Sequence, residues 1–262
     1  MALTRRLLRL LAEVFAMCDP TCRRGPGHPP ADLVRVLATL HRFLCEGTPW
    51  RSLRSSTSEV SGSTLRRYLT RWAQSNLLWQ VHVTLLGLLR GHPDVIVDSC
   101  SVRAKRGGDL TGPNPTDRGK KGTKYHVAVD GRGVPLACAV TGANVPDTVL
   151  FKRLFMEAFA VIVRIRTVLA DKGYDAEANR DLCRRSGAKP RIHMRGRPHG
   201  SGLGKRRWPV ERSLAWVLLN KRLDRRWDRK GFIIEALLRG ACIFTALSKL
   251  VQEFIAETAV KA

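Results

Sequence analysis

The sequence predicts an α/β fold, a mixed sheet flanked by helices and preceded by an all-helical region. Three observations carry that expectation. Up to about residue 90 the apolar residues recur at helical spacing. Past Gly91-His92-Pro93 the segments DVIV, KYHVAV, VPLACAV and RTVLA are short, valine-rich and bounded by Gly, Pro or Asp, as strands are. Hairpin strands, then a helix, then a strand that must run parallel make the sheet mixed rather than purely antiparallel. We therefore expect a helical region over residues 1–92 and a sheet domain over 93–262, a length sufficient for one sizeable core with an appendage.

The elements follow in order. Leu3, Leu7, Leu10, Leu11 and Val14 share one face of a first helix, and Leu33, Val36, Leu37, Leu40 and Leu44 share a face of a second, with GPGHPP as the break between them. A Gly47-Thr48-Pro49 turn follows. Ser61 or Ser63 then caps a third helix with Leu65, Leu69 and Trp72 on one side and Arg66, Arg67 and Arg71 elsewhere. A helix, a turn and a helix with outward arginines form a helix-turn-helix-like pattern suited to a DNA major groove. A solvated basic face on a plain helical bundle explains the pattern about as well.

The first strand is expected to end at Asp98, and a loop rich in Gly, Lys and Arg leads to a second strand from Lys124 to Val129. Asp130-Gly131-Arg132-Gly133 turns the chain into a third strand, Val134 to Val140. After Pro146 a helix carries Leu150, Leu154, Phe155 and Phe159 toward the core. A fourth strand delivers Asp171, a helix starts near Asp175, a short strand runs from Arg191 to His193, and helices fill the remainder.

Composition narrows the function classes. Lys and Arg total 46 against 22 Asp and Glu, a formal charge of +24 spread through the chain, which points to a polyanionic partner, nucleic acid first. Seven scattered cysteines, mostly in apolar segments, do not make a disulfide framework and indicate a reducing, cytoplasmic setting, to which a DNA partner adds association with the nucleoid. Cys18, Cys22 and His28 lack the second cysteine pair of a zinc finger. The stretch from Leu77 to Leu89 is interrupted by Gln80, His82 and Thr84 and is too short to span a membrane, so no membrane partner is expected. GKKGTK lacks the spacing of a nucleotide-binding P-loop, which leaves Lys120, Lys121 and Lys124 as a phosphate clamp.

Chemistry is carried by carboxylates. In mixed sheets ligands gather at strand ends, so Asp98 and Asp171, each following a β-branched apolar run, are placed to share a crevice. Oxygen donors of this kind suit a hard divalent cation such as magnesium. Asp130 and Asp147 are explained by a turn and a helix start, and Asp175 by a helix cap. Glu211 is open on spacing alone. A glutamate on a basic amphipathic helix is commonly a solvated ion-pair partner. Pro209, however, favours a helix start that would put Glu211 in a first turn, where the dipole favours its ionised form. On a continuous helix Lys221 and Arg222 would fall on the side of Glu211 and hold a DNA backbone there, with solvation of that face as the equal alternative. Trp208 and Trp216 are candidates for base stacking or for core anchoring.

At these residues the chain resembles the DDE transposases of bacterial insertion sequences, specifically the IS-five-like group of the IS-four-type superfamily. The matching pieces, in order, are IVDS, GTKYHVAVDGRGVPLACAVTGANVPD, VLADKGYD and RWPVERSLAW, with LHRFLCEGTPWRSL and the Arg/Trp segment around Trp72 upstream. The resemblance implies an RNase H-like catalytic domain in which Asp98, Asp171 and Glu211 bind two Mg2+ ions, with Mn2+ as a substitute. It implies hydrolysis of a strand at the element's terminal inverted repeat, followed by attack of the freed 3′-hydroxyl on target DNA. The partners would be double-stranded DNA, both ends and target, and further copies of the chain when two ends are paired. Arg207 matches the arginine of the superfamily's pattern, whereas Gly204 stands in place of its tyrosine and Leu218 in place of its lysine, for which Lys221 is the candidate substitute. The alternatives are a stand-alone metal nuclease of the same fold and a catalytically decayed DNA-binding repressor. Three intact acids count against the repressor, because carboxylates facing phosphate weaken binding unless a metal intervenes.

Overall fold

The N-terminal helices are built as their patterns require. A computed structural model of the chain describes residues 5–19, 30–196 and 204–260. Leu3, Cys22, His28 and most of the GPGHPP break lie outside the described residues. Helix α1 (Arg5–Cys18) buries Leu8, Leu11, Val14 and Phe15, while Leu10 is left exposed. Helix α2 (Leu33–Glu46) starts at Asp32, whose carboxylate accepts from the Val34 N–H, and ends at Gly47 in the left-handed region, where a side chain is disfavoured. Helix α3 (Gly62–Gln74) is capped by Ser61, buries Leu65, Leu69 and Trp72, and leaves Arg66 and Arg67 exposed. Helix α4 (Leu77–Gly87) follows after only Ser75 and Asn76.

The linker between α2 and α3 corrects one expectation. Residues 47–61 lie between them, including a 3-10 turn at Trp50–Ser52, far more than the 3–4-residue turn of a helix-turn-helix. The tight turn sits instead between α3 and α4.

The sheet comprises β1 (Asp94–Arg103), β2 (Gly112–Pro113), β3 (Lys121–Asp130), β4 (Pro135–Gly142), β5 (Thr167–Ala170) and β6 (Lys189–Ile192). Its main order is β4-β3-β1-β5-β6, with the short β2 beside β3. Strand β3 runs antiparallel to both of its neighbours β1 and β4, and β5 and β6 run parallel to β1. This is the RNase H-like arrangement. The β3–β4 hairpin turns at Gly133, whose φ of 85° suits glycine, and the Asp130 carboxylate accepts from the N–H groups of Arg132 and Val134. Helix α5 (Thr148–Phe159) packs on β3 and β4 through Leu150, Phe151, Leu154 and Phe155, with Phe159 partly exposed. Helix α6 (Glu177–Arg185) follows β5, and α7 (Gly204–Leu219) packs on β1 and β3.

Contacts divide the chain into two compact units. The sheet unit is Arg90–Leu219 with Asp224–Gly231. The helical unit comprises the described residues up to Leu89, Asn220–Leu223 in the short helix α8 (Lys221–Asp224), and helix α9 (Gly231–Val260) from Phe232 onward. A sheet domain running to residue 262 is thereby corrected at its C-terminus. The reason is apolar surface: Gly240 of α9 lies against Leu40 and Leu44, Phe244 meets the His41 ring edge-on, and Arg239 reaches the buried His82 at 3.3 Å. A helix apolar on nearly every side must be enclosed, and α9 forms the core of the helical unit. Its segment Gly231–Ala256 is long and apolar enough by composition to span a membrane, yet most of it is buried inside this unit.

Candidate active site

Register places the two aspartates. Val97 pairs with Ala170 across β1 and β5, so Asp98 and Asp171, the next residues, stand side by side. Strand β1 does not end at Asp98. It continues to Arg103 because β3 keeps pairing with it, whereas β5 stops at Ala170. The crevice therefore opens at the end of β5, beside the middle of β1. Alternation puts Asp94, Ile96 and Asp98 on the face covered by α7, with Ser99 on the opposite face, toward α5.

Asp98 is held in place on both oxygens. Its Oδ1 accepts from the Ser99 N–H at 2.8 Å, and its Oδ2 accepts from Arg207 Nη2 at 2.7 Å. Burial pushes its pKa above the usual carboxylate range, opposed by Arg207 and the Ser99 N–H and reinforced by the negative charge of Asp171. Asp171 Oδ1 accepts from the Gly173 N–H at 2.9 Å and caps the single 3-10 turn Lys172–Tyr174. Asp175 is not the helix cap expected. It pairs with Arg180 at 2.6 Å and accepts from the Arg195 N–H, while Ala176 occupies the cap position.

Glu211 departs from its expected setting. Helix α7 starts at Gly204, so Pro209 lies inside it and Glu211 stands well past the first turn, beyond the reach of the N-terminal dipole. Its side chain is exposed, one helical turn after Arg207 on the same face. Asp98 and Asp171 are brought together. Among the described residues no group of three His, Cys, Asp or Glu side chains converges closely enough to hold a metal. Helix α7 also ends at Leu219 and α8 begins at Lys221, so no continuous helix carries Lys221 and Arg222 along the Glu211 face.

The expected DNA-contacting cations divide into free and engaged ones. Arg66, Arg67, Lys120, Lys121 and Lys221 are exposed. Arg71 is exposed but pairs with Asp19 at 3.0 Å. Lys124 is engaged internally, donating to Val145 O at 2.9 Å and to Asp147 at 3.0 Å. Arg222 is buried, donates to Thr48 O and stacks 4.3 Å from the Phe43 ring centre. Arg207 is bound to Asp98. Trp208 is half exposed and Trp216 less so, both flanking the Arg212 guanidinium at 4.2 and 4.7 Å.

Asp147 stands at the start of α5 as expected, but that position does not account for its side chain. It makes no helix-cap bond and instead accepts from Ser99 Oγ at 2.9 Å and from Lys124. A Cβ on Gly173 would lie 2.7 Å from Asp147 Oδ2 and 2.9 Å from Asp171 Oδ1, so this glycine is the space in which the two carboxylates approach. Only strand register brings Ser99, Lys124 and Asp147 together, and no local motif encodes it. His126 completes the network, with Nε2 at 2.8 Å from Thr141 Oγ1. Burial lowers its pKa to about 4, so the ring is neutral at pH 7 and its 3.7 Å approach to Asp147 is not an ion pair.

A base whose folded pKa is depressed favours folding when neutral. The unfolded chain takes up the proton first, so stability is lost as pH falls from about 6.5 toward about 4. The cost is about 3 kcal/mol at full development. Denaturant melts at pH 7 and pH 4 should show this loss, and His126→Gln should reduce the pH dependence by that amount. An unchanged acid limb would show that His126 is not its source.

Comparison with known proteins places the site in a family. Residues 89–243 match the family model described as the transposase DDE domain. The chain belongs to the DDE transposase family. This DDE chain is also 42% identical, over 163 residues, to the transposase described for insertion sequence element IS402 of Burkholderia cepacia; the match covers 59% of this chain and 75% of that protein. Among solved structures, a chain of the simian T-cell lymphotropic virus intasome with a PP2A regulatory subunit aligns at 17% identity and a TM-score of 0.35. That alignment covers 58% of the DDE chain and 48% of the other, so it spans about half of the intasome chain's length. The Mos1 mariner paired end complex with Mn aligns at 16% identity and a TM-score of 0.33, covering 95% and 86%. Both scores are low, and the fold rests on strand order and register.

Proposed function

We propose that this DDE transposase, of the IS-five-like group, binds the terminal inverted repeats of an insertion sequence, cuts a strand there and joins the freed end to target DNA. The observation that carries the reading is the Asp98–Asp171 pair, side by side at the end of β5 on the face covered by α7. Two half-buried carboxylates in one crevice repel each other and need a cation; Arg207 supplies one, with its Nε buried and unpartnered among the described residues. An all-oxygen donor set suits a hard divalent ion, so Asp98 and Asp171, joined by Glu211, are the residues to hold Mg2+ or Mn2+. Two such ions, when bound, activate the attacking oxygen and stabilise the leaving one.

The chain's own groups position the reactants. The backbone N–H groups of Ser99 and Gly173 aim the two carboxylates. Arg207, beside Asp98 and with its Nε unpartnered among the described residues, would donate to a phosphate bound there. Exposed cations elsewhere bind the backbone and set affinity. Paired ends imply more than one copy of the chain in the working complex.

Incubating the full-length protein with Mg2+ and a duplex taken from the DNA flanking its gene tests the reading. Strand cleavage at the inverted repeat followed by joining to a second duplex is expected. Cleavage without joining would make the chain a nuclease, and binding without cleavage a repressor.

A further inference from the structure

Beside the aspartate pair lies an unassigned basic trough. Strand register sets three rows across the face covered by α7: Asp94, Thr167 and Lys189; then Ile96, Leu169 and Arg191; then the catalytic row beginning with Asp98. The first two rows form the floor and one wall of a cavity of about 610 Å³, and Arg206 of α7 lines the opposite wall. Arg166 lines it too. Its guanidinium is already bound to Asp94 through Nε and Nη2 at 3.1 and 3.0 Å, and Asp94 is the sole carboxylate among the described residues of the lining. Lys189, Arg191 and Arg206 have no side-chain partner among the described residues.

Charges on a sheet edge can serve simply to block strand addition, and β6 is an edge strand. That explains Lys189 but not Arg206, which comes from a different element and faces the same cavity. Three unpaired cations around an apolar floor of Ile96 and Leu169 suit a polyanion with apolar sugar edges. By strand register the row of Ile96 and Leu169 lies next to the catalytic row, and Asp94 lies about 13 Å from Asp98 along the strand, four residues at about 3.3 Å each. That length accommodates a few nucleotides.

We infer that the trough holds the sugar-phosphate backbone of the strand being cut, to one side of the scissile phosphate. The inference rests on the transposase reading above and adds a binding subsite to it.

The test compares full-length wild type with the triple variant Lys189→Ala, Arg191→Ala, Arg206→Ala by fluorescence anisotropy, without divalent metal so that nothing is cut. The probes are labelled duplexes of the element end that extend past the scissile position on both sides, or stop at it on one side or the other. Wild type should bind the extended duplex more tightly than one of the two shortened duplexes. The triple variant should lose that advantage, with a salt slope on the extended duplex shallower by about 2 to 3. Exchanging the three residues for the other basic type, Lys189→Arg, Arg191→Lys and Arg206→Lys, should restore it, which separates lost charge from lost folding. Equal weakening on every duplex, or none, would overturn the inference. So would unchanged end binding with a defect confined to joining, because that assigns the trough to target DNA. Binding is read without catalysis. A wild type that shows the length effect but never cuts therefore refutes the transposase reading and leaves the subsite standing.

Discussion

Asp98→Asn and Asp171→Asn should each lower metal-dependent DNA cleavage by more than about 100-fold, the upper range for groups that merely support a metal ligand, and Glu211→Gln should do the same. The substitutions are mild structurally. Asparagine at 98 keeps an oxygen for the Ser99 N–H, and asparagine at 171 keeps one for the Gly173 N–H, so both local bonds persist. What is lost is negative charge in the crevice. Cleavage of an end-labelled duplex, run beside a mobility-shift assay, separates chemistry from binding, and binding should be largely retained. Any variant that cuts at the wild-type rate removes its residue from the site.

DNA affinity is the second large effect. If the protein neutralises at least about six phosphates, its affinity should fall by about 1000-fold between 50 and 200 mM salt. The formal charge of +24 overstates the available cations, because Lys124, Arg180, Arg222 and Arg226 are spent on internal partners. Arg66, Arg67, Lys120, Lys121 and Lys221 remain exposed. A titration of binding against salt measures the number of phosphates directly, and a nearly flat slope would refute an extended basic footprint.

The sheet was legible because its strands are short valine-rich runs with clear breaks, and its parallel arm because a helix separates two of them. Asp98 and Asp171 were legible for the same reason, each standing after an apolar run. The strand continuing past Asp98 was not, because residues 99–103 alternate polar and small side chains that gain strand structure only from pairing with β3. Pro209 was misleading. Proline is favoured at a helix start, but here the chain is already helical from Gly204, and α7 accommodates the missing N–H within its span. Lys124 and Arg222 looked like surface cations because sequence alone cannot show that Asp147 or Phe43 and Trp50 lie beside them. The C-terminal helix was assigned to the wrong unit because its apolar pattern states that it is buried without stating against what.

The most direct test of a metal held by the aspartate pair is a Mn2+ titration of the full-length protein bound to its end duplex, followed by electron paramagnetic resonance. Tight Mn2+ binding by wild type that is lost in both Asp98→Asn and Asp171→Asn is the expected result. Equal binding by wild type and the two variants would contradict it.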